Sequence, residues 1–293
     1  MSRRLLVVRP GALTTVQDDG RPGLAHLGVP RSGSLDRDAH HLANRLVGNP
    51  EVAAVLETTV DGIAIRLQCD CVAAVTGALA DASIDGHAVD LGVPVHVRAG
   101  QLLDVGRARA GVRSYLAFAG GLSVAAVLGS ASADLLSGLG PEPLSAGDAL
   151  ALGAPVAPVP AIDFSPYPMP GDTAEVLWHP GPRADWLSDA GQDTLRTGRW
   201  RVSADSNRVA LRLTGPAVER ARFDELPSEG LVIGAVQSLP DGGLVVFLAD
   251  HPTTGGYPVV AVVDPRSLGA CAQAAPGTEL RLRPARGSGS VSP

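Results

Sequence analysis

Short runs of apolar residues, many of them alternating with polar ones, recur along the whole chain and predict β-strands. In the first half, runs at 95–98, 101–105 and 112–118 are joined by turns that contain glycine, and Asp85-Gly86 is typical of a tight hairpin. The second half continues with runs at 175–179, 199–203, 208–213, 231–237, 244–249, 259–263 and 279–282. Strands at this density, in a chain with 35 glycines, favour barrels or sandwiches over a doubly wound sheet.

Helices are few in the hydrophobic pattern. One is marked by apolar residues at the spacing of a single helix face, namely Ala39, Leu42, Ala43, Leu46 and Val47. Ser34 or Asp36 would cap its start, and Gly48 would end it. A shorter helix is predicted to begin at Asp264 as cap, with a proline in its first turn, and to run towards Gln273.

A proline-rich segment at 156–170 separates the two strand-rich halves and predicts a stiff, extended linker. We therefore expect an N-terminal domain at 1–155 and a C-terminal domain at 171–284. The length of 293 residues also favours two domains over one. Residues 285–293 are rich in glycine and serine, so a flexible tail is expected there.

Composition and charge argue against several classes of protein. With 24 basic and 30 acidic residues the net charge is −6, and no block of lysine and arginine appears, so nucleic acid is not expected as a partner. No apolar run approaches the roughly 18 residues that a membrane span needs. The N-terminal residues 1–4 lead directly into a strand-like run without the apolar core of a signal peptide, so a cytoplasmic location is expected.

Neither the cysteines nor the histidines predict a metal site. Positions 63–71 alternate as one strand, which places the thiols of Cys69 and Cys71 together on its apolar face, and no second pair lies at zinc spacing. His40 and His41 are adjacent on the predicted helix, and neighbouring helical residues point in different directions. The pair is therefore predicted not to share a metal ion. Motifs of serine hydrolases and of P-loop ATPases are also absent.

The strongest candidate for chemistry is the polar stretch at 250–258, Asp-His-Pro-Thr-Thr-Gly-Gly-Tyr-Pro, directly behind the apolar run at 244–249. A buried strand that ends in a carboxylate, hydroxyls and glycines gathers polar groups and backbone N–H groups at one place. Such a strand end suits an anionic or amide-bearing small molecule. In the first half, a glycine-rich loop at 28–36 opens onto the predicted helix, where Asp36, His40 and Asn44 form a polar stripe. An ordinary capped helix edge explains that stripe equally well.

Motifs in a fixed order, extending to about Leu282, are similar to those of one protein family. They lie at 10–18, 28–36, 43–49, 56–57, 76–78, 115–121, 128–130, 202–208 and 250–258. On these motifs the chain resembles the family of 5-oxoprolinase C subunits, which includes KipA, allophanate hydrolase subunit 2 and the biotin-dependent carboxyltransferase domain of urea amidolyase. The resemblance implies a mostly β fold with two cyclophilin-like β-barrel domains and a few short helices.

The resemblance also implies a subunit of an ATP-dependent complex that processes a small amide. The activity would be 5-oxoprolinase, which converts 5-oxoproline, ATP and water to glutamate, or a hydrolysis of the allophanate or urea amidolyase type. A KipI-like partner, the B subunit of such a complex, is implied, together with a protein of the A-subunit type. ATP is the implied cofactor, bound by this chain or with a partner. Two alternatives stay open: a KipA-type regulatory protein that antagonises a kinase inhibitor, and a carboxyltransferase that uses biotin supplied in trans.

Site residues follow from the resemblance and from the polar strand end. Asp250 is expected to hold a substrate N–H or to act as general base, with Asp36 and Asn44 facing it from the first half. The expected substrate or nucleotide contacts are Thr253, Thr254, Gly255, Gly256, Tyr257 and Arg208, with Gln237 and Glu57 as weaker candidates. Turn formation is the alternative for most of them. The loop at 131–144 departs from the family pattern, which puts one of its ligand contacts in doubt.

Overall fold

The chain divides into two compact units, residues 1–171 and 172–293. The computed structural model describes residues 3–162, 165–166 and 169–285. Four positions of the predicted linker, and all of the predicted tail except Ala285, therefore lie outside the described residues. No helix of the described part is long and apolar enough to cross a membrane.

Strands dominate both units. Strands β1 to β19 are, in order, Arg4–Arg9, Leu13–Gln17, Val55–Thr59, Ile63–Leu67, Cys71–Ile84, His87–Val89, Val95–Val97, Leu102–Phe118, Leu122–Ser123, Ala149–Leu152, Thr173–Pro180, Trp200–Val202, Ala210–Thr214, Glu229–Gly230, Ala235–Ser238, Leu244–Phe247, Thr254–Gly255, Val259–Val263 and Glu279–Pro284. Helices α1 to α3 are Arg37–Leu46, Asp189–Thr197 and Leu268–Gln273. Short 3₁₀ turns are Ala25–Leu27, Ala184–Trp186 and Pro265–Ser267. The prediction of a mostly β protein with a few short helices is confirmed.

The first unit is built on a ten-stranded sheet in the order β2-β3-β8-β4-β1-β10-β9, and β5 pairs with β6, β7 and β8 outside that path. The two longest strands, β5 and β8, pair antiparallel from Ala73 opposite Phe118 to Ile84 opposite Leu103. Helix α1 packs against both of them, and Leu46 on its buried face belongs to the core of the unit. This packing sets α1 and its N-terminus at a defined place on the sheet.

The second unit is a closed barrel with the strand order β11-β18-β15-β16-β13-β12-β19. Its closure comes from a parallel pairing of the first and last of these strands, from Thr173 opposite Glu279 to Trp178 opposite Pro284. Closure leaves no open edge in this sheet. The apolar runs at 244–249 and 259–263 of the sequence form β16 and β18, next to β15 on its two sides.

Two of the three helices follow the sequence prediction. Asp36, and not Ser34, caps α1, because its carboxylate accepts a hydrogen bond from the N–H of Ala39 at 3.1 Å. Before α3, the carboxylate of Asp264 accepts from the N–H of Arg266 at 3.0 Å. Helix α2 is not predicted, because its buried positions are only Gly191 and Leu195 and leave no apolar stripe in the sequence.

The predicted strand over 63–71 is wrong at its second half. Strand β4 ends at Leu67, whose carbonyl accepts from the N–H of Gly100 at 2.7 Å, and the chain bends at 68 and 69 before β5 begins at Cys71. Cys69 is therefore only partly buried, whereas Cys71 is buried as expected. All three cysteines are free thiols.

The first part of the proline-rich segment lies on the first unit. Val159 and Ile162 pack against the core of that unit. Gly48, at the end of α1, has a φ of 72° and approaches the Pro158 carbonyl so closely that a Cβ atom would lie 2.7 Å from its oxygen. These contacts hold residues 158–162 against the first unit.

Candidate functional site

The strand end at residue 250 carries a buried ion pair. Beyond β16, the carboxylate of Asp250 meets the guanidinium of Arg208 side on, with Nε to Oδ2 at 2.9 Å and Nη2 to Oδ1 at 3.0 Å. The backbone N–H of Asp250 also donates to the Arg208 carbonyl at 3.2 Å. The two side chains are 0% and 1% exposed. This bidentate geometry is the strong form of an arginine–carboxylate contact.

The burial of this pair bears on the expected role of Asp250. A general base must reach the proton that it abstracts, and Asp250 is not accessible from solvent in this structure. Arg208, the predicted counter-charge, is paired with it in the same interior. The pair fixes the start of the segment that continues through His251 to Tyr257, and a catalytic role of Asp250 stays a prediction.

The segment 253–257 lies at the surface of the second unit. Thr254, Gly256 and Tyr257 are exposed, and Thr253 and Gly255 are partly buried. Strand β17 pairs with β14, Gly255 opposite Glu229, so some of the backbone groups expected to be free for a ligand are used within the chain.

Gln237 on β15 contacts this segment from the interior of the second unit. Its Nε2 donates to the Tyr257 carbonyl at 3.0 Å, and its side chain is buried. Gly255 lies so close that a Cβ atom there would be 2.8 Å from the same nitrogen. A side chain at 255 would therefore displace the end of the Gln237 side chain. Gln237, a weak candidate in the sequence, is the residue that fixes the backbone at Tyr257.

Charged residues that the sequence does not single out border the same segment. The guanidinium of Arg183 forms a bidentate pair with Glu229, with Nε to Oε2 at 3.1 Å. This hydrogen bonding lowers the pKa of Glu229. Arg220 donates to the Ser238 carbonyl and lies 6.0 Å from the centre of the Tyr257 ring, within the range of a cation–π contact. No local sequence signal marks these arginines, because they come from separate loops.

In the first unit, Asp36 and Glu57 are joined through Tyr115. The Tyr115 hydroxyl donates to Glu57 Oε2 at 2.9 Å and accepts from the Asp36 N–H at 2.8 Å, while Glu57 also accepts from the Leu35 N–H at 3.0 Å. Burial, with the nearby Glu57 and Asp36 charges, raises the pKa of Tyr115 well above its ordinary value. This chain of hydrogen bonds ties the glycine-rich loop and the start of α1 to strands β3 and β8.

Asn44 has a structural role at the other end of α1. Its Nδ2 donates to the carbonyls of Glu51 at 2.9 Å and Ala53 at 2.7 Å, and its Oδ1 accepts from Asn49 Nδ2 at 3.0 Å. The side chain is 0% exposed. Its amide is engaged in holding the connection from α1 to β3, and the expectation that Asn44 faces a substrate stays a prediction.

The altered loop at 131–144 is anchored by Asp18. One carboxylate oxygen accepts from the hydroxyls of Ser130 and Ser132, both at 2.6 Å, and from the Gly20 N–H, while the other accepts from the Ala131 N–H at 2.7 Å. Arg21 is buried beside them and donates to the Ser132 carbonyl at 2.5 Å. The departure from the family pattern therefore falls in a segment that is fixed by side chains of the N-terminal motif.

One conclusion about metals needs correction. The sequence argument holds that His40 and His41 cannot share an ion because they are adjacent on a helix. In the structure their rings are 5.2 Å apart, and both present a nitrogen to the same oxygen of Asp19. The Cβ atoms of the two residues point in different directions from the helix, but rotation about the side-chain bonds brings the two rings close together.

A cavity of about 780 Å³ lies elsewhere in the first unit. It is lined by the hairpin of β5 and β6, by Arg109, and by residues such as Ser165 and Met169. The predicted site residues are not among its lining residues within the described part of the chain.

Comparison with known proteins places the chain in a family. Residues 27–284 match the family described as carboxyltransferase domain, subdomain A and B, and the chain belongs to this family. It is 38% identical to the C subunit of 5-oxoprolinase from Escherichia coli K12 over 262 residues, which are 88% of this chain and 84% of that protein.

Two larger relatives contain the same fold as one part. Urea amidolyase of Lachancea kluyveri is 32% identical over 95% of this chain, but the match covers 17% of that protein. The crystal structure of the K. lactis urea amidolyase superposes with a TM-score of 0.88 at 30% identity, covering 97% of this chain and 19% of the other. The chain thus corresponds to most of the subunit in the bacterial relative and to a fraction of the fungal enzymes.

Proposed function

We propose that the chain is the C subunit of a multisubunit, ATP-dependent 5-oxoprolinase. The observation that carries the proposal is the match to the C subunit of the Escherichia coli enzyme, which extends over most of both chains. The match to the urea amidolyases is of similar extent in this chain but leaves most of those enzymes unmatched. The substrate of this proposal is a small cyclic amide, and the partners are subunits of the A and B type.

The segment 253–257 is the part of the second unit that we assign to substrate contact. Thr254 and Tyr257 are exposed polar side chains, and Gly256 leaves its backbone accessible. Hydroxyl and backbone groups of this kind suit the carboxylate and amide of a compact substrate. Gln237 and the Arg208–Asp250 pair hold the segment from the interior and act as positioning residues.

ATP is assigned to the assembly and not to this chain. The two arginines that border segment 253–257 are engaged, Arg183 by Glu229 and Arg220 by the Ser238 carbonyl. The backbone of Gly255 is also paired with β14. These groups fit a triphosphate poorly, so we propose that the nucleotide is bound by a partner.

A second candidate is carboxyl transfer to a urea-type amide. It is favoured by the carboxyltransferase description of the family and by the TM-score of 0.88 to a urea amidolyase. Biotin would supply the carboxyl group when bound, and it would have to arrive on another chain. The residues of segment 253–257 would then orient the amide that accepts the carboxyl group.

The deciding experiment is a reconstitution with the co-expressed A and B type partners. ATP hydrolysis is measured with 5-oxoproline, urea or allophanate added separately, and glutamate formation is measured in parallel. Stimulation by 5-oxoproline with stoichiometric glutamate supports the first proposal. Stimulation by urea that depends on a biotinylated partner supports the second. A tight complex with a partner but no stimulated turnover contradicts both and leaves a regulatory role.

A further inference from the structure

Three residues of the first unit form a compact cluster: Asp19, two residues after the end of β2, and His40 and His41 in α1. One ligand atom from each lies within 4.8 Å of the others. The Nε2 of His41 is 2.7 Å from Asp19 Oδ1, and the Nδ1 of His40 is 3.8 Å from the same oxygen. Both histidine nitrogens therefore approach the same atom, Asp19 Oδ1.

The two nitrogens of His40 have different surroundings. Nε2 lies 2.8 Å from the carbonyl oxygen of Ala53, which can only accept a hydrogen bond, so Nε2 carries the proton. In the neutral ring Nδ1 carries a lone pair. This nitrogen has no hydrogen-bond partner among the described residues, in a side chain that is 0% exposed.

A buried lone pair that faces a carboxylate oxygen is unfavourable unless a positive charge lies between them. The unexplained feature is thus two electron-rich atoms, His40 Nδ1 and Asp19 Oδ1, directed at the same space.

The outer groups surround these side chains as in a metal site. The second nitrogen of His41, Nδ1, faces Glu51 Oε2 at 3.7 Å, which is beyond hydrogen-bond distance. His40 turns its second nitrogen to a backbone carbonyl, and Arg37 pairs with the Oδ2 atom of Asp19 and leaves Oδ1 to the histidines. Metal-bound histidines are oriented in this way by a carboxylate or a carbonyl on the far nitrogen.

We propose that Asp19 Oδ1, His40 Nδ1 and His41 Nε2 bind a divalent transition-metal ion of the Zn²⁺ class. Two imidazoles and one carboxylate are a donor set that zinc accepts, and they leave a fourth position for water or another ligand. The ion takes the place of the proton between His41 Nε2 and Asp19. In a neutral ring that proton moves to Nδ1, the nitrogen that faces Glu51, and in a ring that already carries a proton on Nδ1 it is released to solvent. Asp19 and His41 are 23% and 19% exposed, so the ion can enter from solvent.

The test uses the full chain without an affinity tag, stripped with a chelator and dialysed. Zn²⁺ binding is measured by equilibrium dialysis with elemental analysis, and we expect one ion per chain. Asp19→Asn and His41→Ala should each weaken binding at least tenfold, on the order of the effect of losing even an outer-shell partner. His96→Ala, which removes an exposed histidine of β7, is the matched control and should bind as the wild type does.

A second readout reports the ligands directly. Co²⁺ in place of Zn²⁺ should give visible absorption bands of a nitrogen-containing site of low coordination number, and these bands should be lost in His41→Ala. Arg37→Ala removes no donor atom and should keep both the bands and the stoichiometry. Circular dichroism of the metal-free variants checks that they are folded. If Asp19→Asn proves unstable, the result for His41→Ala decides the test, because His41 is only partly buried and its replacement disturbs the interior less.

Two results would overturn the proposal: less than one tenth of an equivalent of Zn²⁺ bound by the wild type under saturating conditions, or equal affinity in the wild type, Asp19→Asn and His41→Ala. Neither measurement needs a partner protein or turnover. Failure of the metal proposal is therefore separable from failure of the proposed 5-oxoprolinase role.

Discussion

Arg208 and Asp250 face each other as a bidentate pair in the interior of the second unit, with both donor–acceptor distances between 2.9 and 3.0 Å. Neither side chain is more than 1% exposed. Removing one partner of such a pair leaves the other charge buried without compensation. The pair is therefore a test of whether this strand end serves stability or direct chemistry.

We expect Asp250→Asn to lower the free energy of unfolding by about 3 kcal/mol, because the variant keeps the shape but leaves the Arg208 charge unbalanced. Urea denaturation followed by fluorescence measures this. The double variant with Arg208→Met removes both charges and should be less destabilised than the sum of the two single variants. Full stability of Asp250→Asn together with lost turnover would instead return Asp250 to a direct catalytic role.

Tyr115→Phe should destabilise the first unit by about 1–3 kcal/mol, because it leaves the Glu57 carboxylate and the Asp36 N–H each without the hydroxyl that pairs with them in the interior. Thermal unfolding gives the stability, and hydrogen exchange should show faster exchange of the Asp36 amide. Tyr257→Phe, at an exposed tyrosine, is the control and should change stability by less than about 0.5 kcal/mol. Equal behaviour of the two variants would contradict the assignment.

Gly255→Ala and Gly256→Ala form a matched pair. A Cβ atom at 255 would lie 2.8 Å from Gln237 Nε2, whereas at 256 the nearest atom is 3.7 Å away. Gly255→Ala should therefore displace Gln237 and break its hydrogen bond to the Tyr257 carbonyl, at about 1 kcal/mol of stability. In the reconstituted complex we expect a larger rise in the KM for the amide with Gly255→Ala than with Gly256→Ala. An unchanged KM in both variants would remove segment 253–257 from substrate contact.

Stability at acid pH should depend on Asp264. Hydrogen bonds from the Arg266 side chain and backbone, and from His179, hold the pKa of Asp264 well below its usual range. A carboxyl whose pKa is lowered by folding stabilises the protein above its unfolded pKa of about 3.9, and this contribution is lost as the pH falls further. Asp264→Asn should therefore flatten the decline in unfolding free energy below about pH 4. Asp205→Asn, at an exposed position, should leave that slope unchanged.

The three thiols should react with iodoacetamide in the order Cys69, Cys71, Cys271. Burial raises the pKa of Cys271 to about 12 and also raises the pKa of Cys71, and the thiolate is the reactive form. Cys69 is only partly buried. Mass spectrometry of the native protein at mildly alkaline pH measures the rates. Early labelling of Cys271 would mean that α3 opens readily in solution.

The local elements of this fold are readable from the sequence, because they rest on short-range patterns. Helix α1 follows from apolar spacing and a cap at Asp36, and the hairpin at Asp85-Gly86 follows from two residues with positive φ, 49° and 82°. Strand β8 is predicted as two strands because glycines interrupt it, yet it continues through Gly106 and Gly111 by pairing with β5. Long-range pairing overrides the local signal there.

The side-chain contacts of the candidate site are less accessible to sequence reasoning. Tyr115 meets Glu57 across 58 residues of chain and the Asp36 N–H across 79, and no periodicity encodes such a meeting. Asn44 looks like a ligand in the sequence, because an amide on a polar stripe can serve a substrate or a backbone equally well. Its three hydrogen bonds to the connection after α1 become visible only in the folded chain.

The parallel pairing of β11 with β19 has a consequence for how the second unit forms. Strand β11 can pair along one of its two edges only after β19, the last strand of the barrel, has been synthesised, since Thr173 pairs with Glu279. Contacts of such long sequence separation form late, because a large loop must close before they contribute any stability. During synthesis one edge of β11 therefore stays unpaired until β19 has been made. A nascent chain that stops short of β19 exposes that edge to other protein chains.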